Sequence, residues 1–360
     1  MGIFSCSSPG RRALRQGCAS SMHSAVHQKV ALATRIRAFE PAERTAMPHP
    51  PCPPHLPRRH CLALMGSLLG LAAPLPARAQ QPLRSLALQN ELAALEARSG
   101  GRLGVAVLDT ASGASAGHRA DSRFGLCSSF KLLLAAATIE RVEAGAWPST
   151  RRIAYTAADL IPPSPVLRER LAEGGLTALQ MAQATQETSD NAAANLLLRE
   201  LFGGPAGLTA WLRRQGDAVT RIDRWEPEMN VVAPGDERDT STPAAIAATG
   251  ARILTGPVLS PAGREQLIGW MVATQTGARR LRAGLPAGWK AGDKTGTGMH
   301  PTMPDRYNDV AIIWPGAQRA PWLLAAYFES RHRDSDRMRP EDEAVLAEVG
   351  RLVGRWQPGA

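Results

Sequence analysis

Cysteine is scarce where a fold could use it. Of five in 360 residues, Cys6, Cys18, Cys52 and Cys61 precede residue 80, and Cys127 alone follows it. Residues 80–360 therefore cannot close an intrachain disulfide, so an oxidising compartment is allowed but not exploited. A long apolar run is missing too. The stretch at residues 61–73 is shorter than the about 20 residues that a bilayer-crossing helix needs. No stable membrane association is expected once the chain is processed. His118, His300 and His332 are scattered without ligand spacing, so neither a metal centre nor another cofactor is expected. No internal repeat is visible.

Acidic residues are in deficit: 42 Lys and Arg face 32 Asp and Glu, a net charge of +10. Such a total would suit a nucleic-acid or membrane partner, but its distribution argues otherwise. Residues 1–79 hold ten Lys/Arg and two Asp/Glu, a net of +8, which leaves +2 of the +10 on residues 80–360. No nucleic-acid partner is expected.

The basic segment reads as an export signal. Arg58-Arg59 precede the apolar run, and Ala77-Arg78-Ala79 offers a small-x-small cleavage site before Gln80. Met47 opens a signal peptide of normal length, residues 47–79. The paired arginines fit the twin-arginine route, and the ordinary secretory route fits as well. Arg59-His60 before Cys61 is a poor context for lipidation. Residues 1–46 are read as an upstream extension without a folded role, with a disordered leader as the other reading. The product would be a periplasmic or secreted monomer.

Within residues 80–360, apolar spacing predicts a helix over residues 83–98 with Leu88, Leu92 and Leu95 inward. A strand follows at 101–109, then a turn at Ala111-Ser112-Gly113. Residues 128–144 read as a buried helix. Helical patterns with Pro/Gly breaks occupy 176–188, 192–201, 205–215, 243–255 and 261–274. Strand character returns at 290–297, 309–314 and 322–329, the last two flanking Pro315-Gly316-Ala317-Gln318. Residues 341–356 close as a helix. Strands at both ends and helices between predict an α+β fold. An antiparallel sheet with terminal helices (about 80–125 and 275–360) would meet an all-α part (about 126–274). The active site would lie in the cleft between them.

Three short motifs carry chemistry. Ser128 and Lys131 share a helix face, and a partly desolvated lysine can activate a serine hydroxyl. Alone the pair is weak, since ordinary usage puts roughly one S-x-x-K in a chain of this length. Ser189-Asp190-Asn191 could relay a proton and hold a substrate carbonyl, or could simply cap a helix. In Lys294-Thr295-Gly296-Thr297-Gly298, the lysine and threonine could bind an anion, and the glycines would let a substrate approach the backbone. The Thr297 and Ser128 amides could form an oxyanion hole. An edge strand with a charged gatekeeper is the plainer reading.

Taken together, and with Trp225-Glu226-Pro227-Glu228-x-Asn230 and Asp236-Glu237-Arg238-Asp239-Thr240, these motifs resemble class A serine β-lactamases. The resemblance covers roughly residues 83–356. It implies hydrolysis of the β-lactam ring of penicillins and cephalosporins, and hence antibiotic resistance. Ser128 would be the nucleophile, Lys131 its activator and Ser189 the proton relay to the lactam nitrogen, tuned by Lys294. Glu226 and Asn230 would hold the water that hydrolyses the acyl-enzyme. Asn191 would contact the substrate acylamide; Thr295, Thr297 and Arg280 would meet its carboxylate, with Arg306 and Arg331 as rivals to Arg280. Residues 224–239 would form an Ω-loop, clamped by a bidentate Arg224–Asp239 pair and pinned near Glu226 by Asn195. Glu226-Pro227 would be cis.

Three departures stand out. Pro163 precedes Ser164-Pro165 where the family often has an aromatic wall. Residues 299–307, opening with Met299 and closing with Tyr307, read as an enlarged turn beside the site. Gly298 stands where some carbapenem-hydrolysing relatives carry a cysteine, so Cys127 lacks a disulfide partner. A penicillin-binding DD-peptidase or transpeptidase would share the three short motifs but lack Glu226 with Asn230. A non-catalytic β-lactam sensor would need membrane-spanning signalling segments.

Overall fold

In the computed structural model, residues 77–333 and 336–357 are described. The leader reading of 1–46 and the signal reading, up to residue 76, fall outside them. Helix α1 (Ala77–Ser99) leads into β1 (Arg102–Asp109), β2 (Ser115–His118) and the short β3 (Phe124–Gly125). A single 3-10 turn, Cys127–Phe130, opens α2 (Lys131–Glu143). Next come β4 (Arg152–Ala154), α3 (Pro165–Glu169), β5 (Gly175–Thr177), α4 (Ala178–Glu187), α5 (Asn191–Phe202) and α6 (Pro205–Arg214). After the loop come β6 (Thr240–Ser241), α7 (Pro243–Leu254), α8 (Pro261–Val272) and α9 (Leu281–Gly284). Strands β7 (Lys290–His300), β8 (Met303–Trp314) and β9 (Trp322–Arg333) and helix α10 (Pro340–Gly354) finish the order. These elements all belong to one compact unit.

Local chemistry explains many of the helix starts. Pro205, Pro243, Pro261 and Pro340 each stand in the first turn, where a missing N–H costs nothing. Thr177 and Gln180 exchange side-chain and backbone bonds in a capping box before α4. Thr242 and Ser260 cap α7 and α8 by accepting from Ala245 and Gly263 amides.

The sheet runs β2-β1-β9-β8-β7, antiparallel throughout. Strand β9 shows why both faces are covered. Leu323, Ala325 and Tyr327 join the core shared with α2, α4 and α5, whereas Trp322, Leu324, Ala326 and Phe328 join the core under α1 and α10. Side chains alternate across a strand, so a continuous apolar run marks a sheet buried on two sides. Leu88, Leu92 and Leu95 of α1 are buried in the second core.

One expectation is corrected. Residues 299–307 are not a turn, because β7 continues to His300 and β8 begins at Met303. Pro301 and Thr302 alone make the reversal. The extra length is taken up as strand with register irregularities between Gly298 and His300 and between Pro304 and Arg306. Pro304 is the second residue of β8 and sits beside an irregularity, where a proline is compatible with pairing, which the proline content had concealed.

Candidate active site

The turn that carries Ser128 is wedged against the sheet. Leu126 donates its N–H to Asp239 O, and Ser129 Oγ donates back to Leu126 O at 2.7 Å. Gly296 on β7 allows this approach: a Cβ there would lie 2.8 Å from Leu126 O and 3.0 Å from Ser129 N. Gly298 is equally constrained, with Cys127 Sγ 2.9 Å from where its Cβ would be. Cys127 is buried, and burial pushes its thiol up to about 12.

Ser128 Oγ receives a hydrogen bond from Lys131 Nζ at 2.9 Å and donates to Glu226 Oε1 at 3.1 Å. Lys131 Nζ also lies 3.1 Å from Glu226 Oε1 and donates to Ser189 O at 2.9 Å, Ser189 Oγ at 3.3 Å and Asn191 Oδ1. The lysine is fully buried. Burial lowers its pKa below the ordinary lysine value, and the Glu226 charge opposes that shift only in part. Lys294 Nζ approaches from β7, donating to Ser189 Oγ at 3.1 Å and Thr295 O at 2.8 Å. Burial, then the like charge of Lys131, drive its pKa well below the ordinary value.

The Ser189-Asp190-Asn191 tripeptide divides its labour. Asp190 caps α5, taking the Ala193 N–H on Oδ1 and the Leu167 N–H on Oδ2. That leaves Ser189 and Asn191 to face the lysines. Asn191 Nδ2 donates to Pro162 O at 2.9 Å. Ser189 holds φ at +62°, a strained conformation outside glycine. Cys127 (+44°) and Asp239 (+56°) share that region of backbone space and also flank the site.

Glu226 is fixed from both ends. Its N–H donates to Asn195 Oδ1 at 3.0 Å, its carbonyl accepts from Asn195 Nδ2 at 2.9 Å, and its Oε2 accepts from Asn230 Nδ2 at 2.7 Å. The Glu226-Pro227 peptide is cis. Arg224 and Asp239 do close the neck of this loop, but not fork to fork as expected. One guanidinium nitrogen, Nε, meets Asp239 Oδ2 at 2.5 Å. Oδ1 is already saturated by the amides of Asp223 (2.7 Å) and Arg224 (3.0 Å).

These groups border a cleft of about 870 Å³. Ser128, Ser189, Asn191, Glu226, Asn230, Thr295 and Thr297 line it, and Pro162 and Pro163 form the rim where an aromatic is wanting. Arg280 also borders it but is only 1 % exposed. It donates to Thr297 Oγ1 at 2.6 Å, Gly296 O at 2.9 Å and Asn308 O at 2.8 Å, so its charge reaches the cleft through Thr297. Neighbouring Arg279, with a side chain 73 % exposed, also lines the cleft. Arg306 does not line the cleft and binds the loop backbone instead, and Arg331 lies beside Gly100. Among the described residues, no group of three or more His, Cys, Asp or Glu is placed to hold a metal ion.

Sequence patterns did not point to the support beneath β7. Asp293 lies 2.7 Å from Arg282 Nε, and burial pushes its carboxyl up to about 6. Asp309 is raised well above the carboxylate range by burial and by the Asp293 charge. The adjacency of Asp293 to Lys294 in a buried strand was the available signal.

A model described as the Beta-lactamase enzyme family matches residues 87–357. Beta-lactamase L2 of Stenotrophomonas maltophilia is 43 % identical over 309 residues, covering 83 % of this chain and 99 % of that protein. The chain belongs to the class A β-lactamase family. The carbapenem-hydrolyzing β-lactamase KPC of Klebsiella oxytoca is 44 % identical over 262 residues, covering 72 % of this chain and 86 % of its own. The solved class A β-lactamase of the last common ancestor of Gram-negative bacteria (GNCA4) is 55 % identical. It superposes with a TM-score of 0.69, covering 74 % of this chain and 98 % of its own. A β-lactamase structure from Xanthomonas campestris gives 44 % identity and a TM-score of 0.70 over 76 % of this chain and 98 % of that one. In this β-lactamase the α+β layout and the cleft between sheet and helices are those of the family.

Proposed function

We propose that this class A β-lactamase opens the β-lactam ring through an acyl-enzyme on Ser128 and discharges it with water activated by Glu226. The supporting observation is the Glu226 carboxylate. It lies 3.1 Å from Ser128 Oγ with its second oxygen held by Asn230. A DD-peptidase needs no such group, so its presence favours hydrolysis over lasting acylation.

In acylation, Ser128 Oγ attacks the lactam carbonyl carbon and gives its proton to a neighbouring base. Two are in reach, Lys131 and Glu226. Burial lowers the Lys131 pKa, so a neutral amine is attainable nearer neutral pH. The lactam C–N bond breaks, and Ser189, backed by Lys131 and Lys294, passes a proton to the nitrogen. The amides of Ser128 and Thr297 stabilise the oxyanion. Thr295 and Thr297 meet the substrate carboxylate, with the Arg280 charge acting on it through Thr297, and Asn191 meets its acylamide. In deacylation, water attacks the ester carbonyl and Glu226 takes its proton. The bond to Ser128 Oγ breaks, and the proton returns to that oxygen. Asn230 Oδ1 is buried and accepts no hydrogen bond from the described residues, which suits it to orient the water.

The chain is exported through residues 47–79 by the twin-arginine or secretory route, matures near Gln80 and acts as a monomer. No described helix is long and apolar enough to cross a membrane. Hydrolysis of a chromogenic cephalosporin by the purified chain tests the catalytic reading. Repeated turnover is expected, and stoichiometric labelling without turnover would overturn it.

A further inference from the structure

Arg306 on β8 is buried, and its guanidinium points away from substrate space into the Ω-loop. Nη1 donates to Asn230 O at 3.0 Å and Nη2 to Val232 O at 2.7 Å. Between them, Val231 O accepts from Arg224 Nη1 at 2.8 Å. Three successive loop carbonyls are thus held by two guanidiniums, one from the loop neck and one from the sheet. Glu329 aims the sheet arginine. It is the cross-strand partner of Arg306 on β9, with Oε1 3.3 Å from Arg306 Nε, and its other oxygen is held by Arg102 at 3.0 Å.

The held segment matters because of what Asn230 does. Its side chain donates to Glu226 Oε2 at 2.7 Å, so the Asn230 backbone position sets the carboxylate. Residues 228–230 form one 3-10 turn, too short to keep its own place. We infer that Arg306 is a positioning residue for deacylation: it fixes Asn230, and through it Glu226, at the distance that water attack requires. It touches neither nucleophile nor substrate. Its effect therefore falls on the step that needs Glu226 and Asn230 together, and spares acylation when Lys131, 2.9 Å from Ser128 Oγ, is the base that takes the serine proton. This rests on the proposed hydrolysis.

The test is rapid mixing of the purified chain and its Arg306→Met, Arg306→Lys and Glu329→Gln variants with a chromogenic cephalosporin. Quenched samples are read by intact mass. The burst amplitude counts folded sites, so loss of folded protein is not mistaken for slow chemistry. For Arg306→Met, kcat falls about tenfold or more, as expected when a reacting group is displaced. KM falls with it, kcat/KM stays within about threefold, and acyl-enzyme accumulates. Arg306→Lys keeps the charge but not the fork and shows a smaller change of the same kind, as does Glu329→Gln. If Arg306→Met yields no folded protein, these two variants decide. Equal falls in kcat and kcat/KM without acyl-enzyme, or no change in either, would overturn the inference. Absence of turnover by the unmodified chain would instead overturn the hydrolase reading.

Discussion

Lys131 and Lys294 are cations held where a cation is costly, and each is stabilised by acceptors rather than by water. Their lowered pKa values follow first from that burial. Asp293 and Asp309 show the same physics with the opposite sign. A carboxyl raised from 3.8 to about 6 in the native state holds a proton that the unfolded chain has released. Native stability from this group therefore falls as pH rises from about 4 to about 6. Asp293→Asn removes the titrating carboxyl itself and should reduce that slope in denaturant titrations run from pH 4 to pH 8. An unchanged slope would contradict the assignment. At the loop neck, Arg224→Ala strips Asp239 of its one side-chain cation. A loss of about 2–3 kcal/mol is expected in thermal or denaturant unfolding, the scale of a charge-assisted hydrogen bond to a buried carboxylate. No measurable loss would show that the backbone amides suffice.

Elements differ in how plainly the sequence declares them. Helices α4 to α8 carry their caps and prolines in view, and the motif residues Ser128, Lys131, Ser189 and Lys294 converge within hydrogen-bond distance. The β7–β8 hairpin was obscured because Pro301 and Pro304 read as loop residues, whereas the strand pairing absorbs Pro304 beside an irregularity. The Arg306 tether was invisible because its partners are backbone carbonyls, which leave no mark on a side-chain pattern. The capping role of Asp190 left no distinct mark either, since Ser, Asp and Asn are all preferred cap residues. Gly296 gives the element-scale test. Gly296→Ala would drive a Cβ against Leu126 O and Ser129 N and displace the nucleophile turn from β7. Acylation by penicillin, followed by intact mass, should slow by about tenfold or more. An unaltered acylation rate would show that the turn can shift freely.

At the scale of the molecule, a sheet buried on both faces presents β7 to the helical layer, and the cleft follows from that contact. The surplus charge lies in residues 1–79 rather than in residues 80–360, which carry a net of +2 of the +10. The whole arrangement has one chemical consequence that a related acylating enzyme would not share: an ester on Ser128 that is discharged by Glu226. Intact mass spectrometry of Glu226→Gln after mixing with penicillin tests this most directly. An adduct of one penicillin per chain is expected to persist while the unmodified chain returns to its free mass, with Ser128→Ala forming none. Turnover by Glu226→Gln at the rate of the unmodified chain would contradict it.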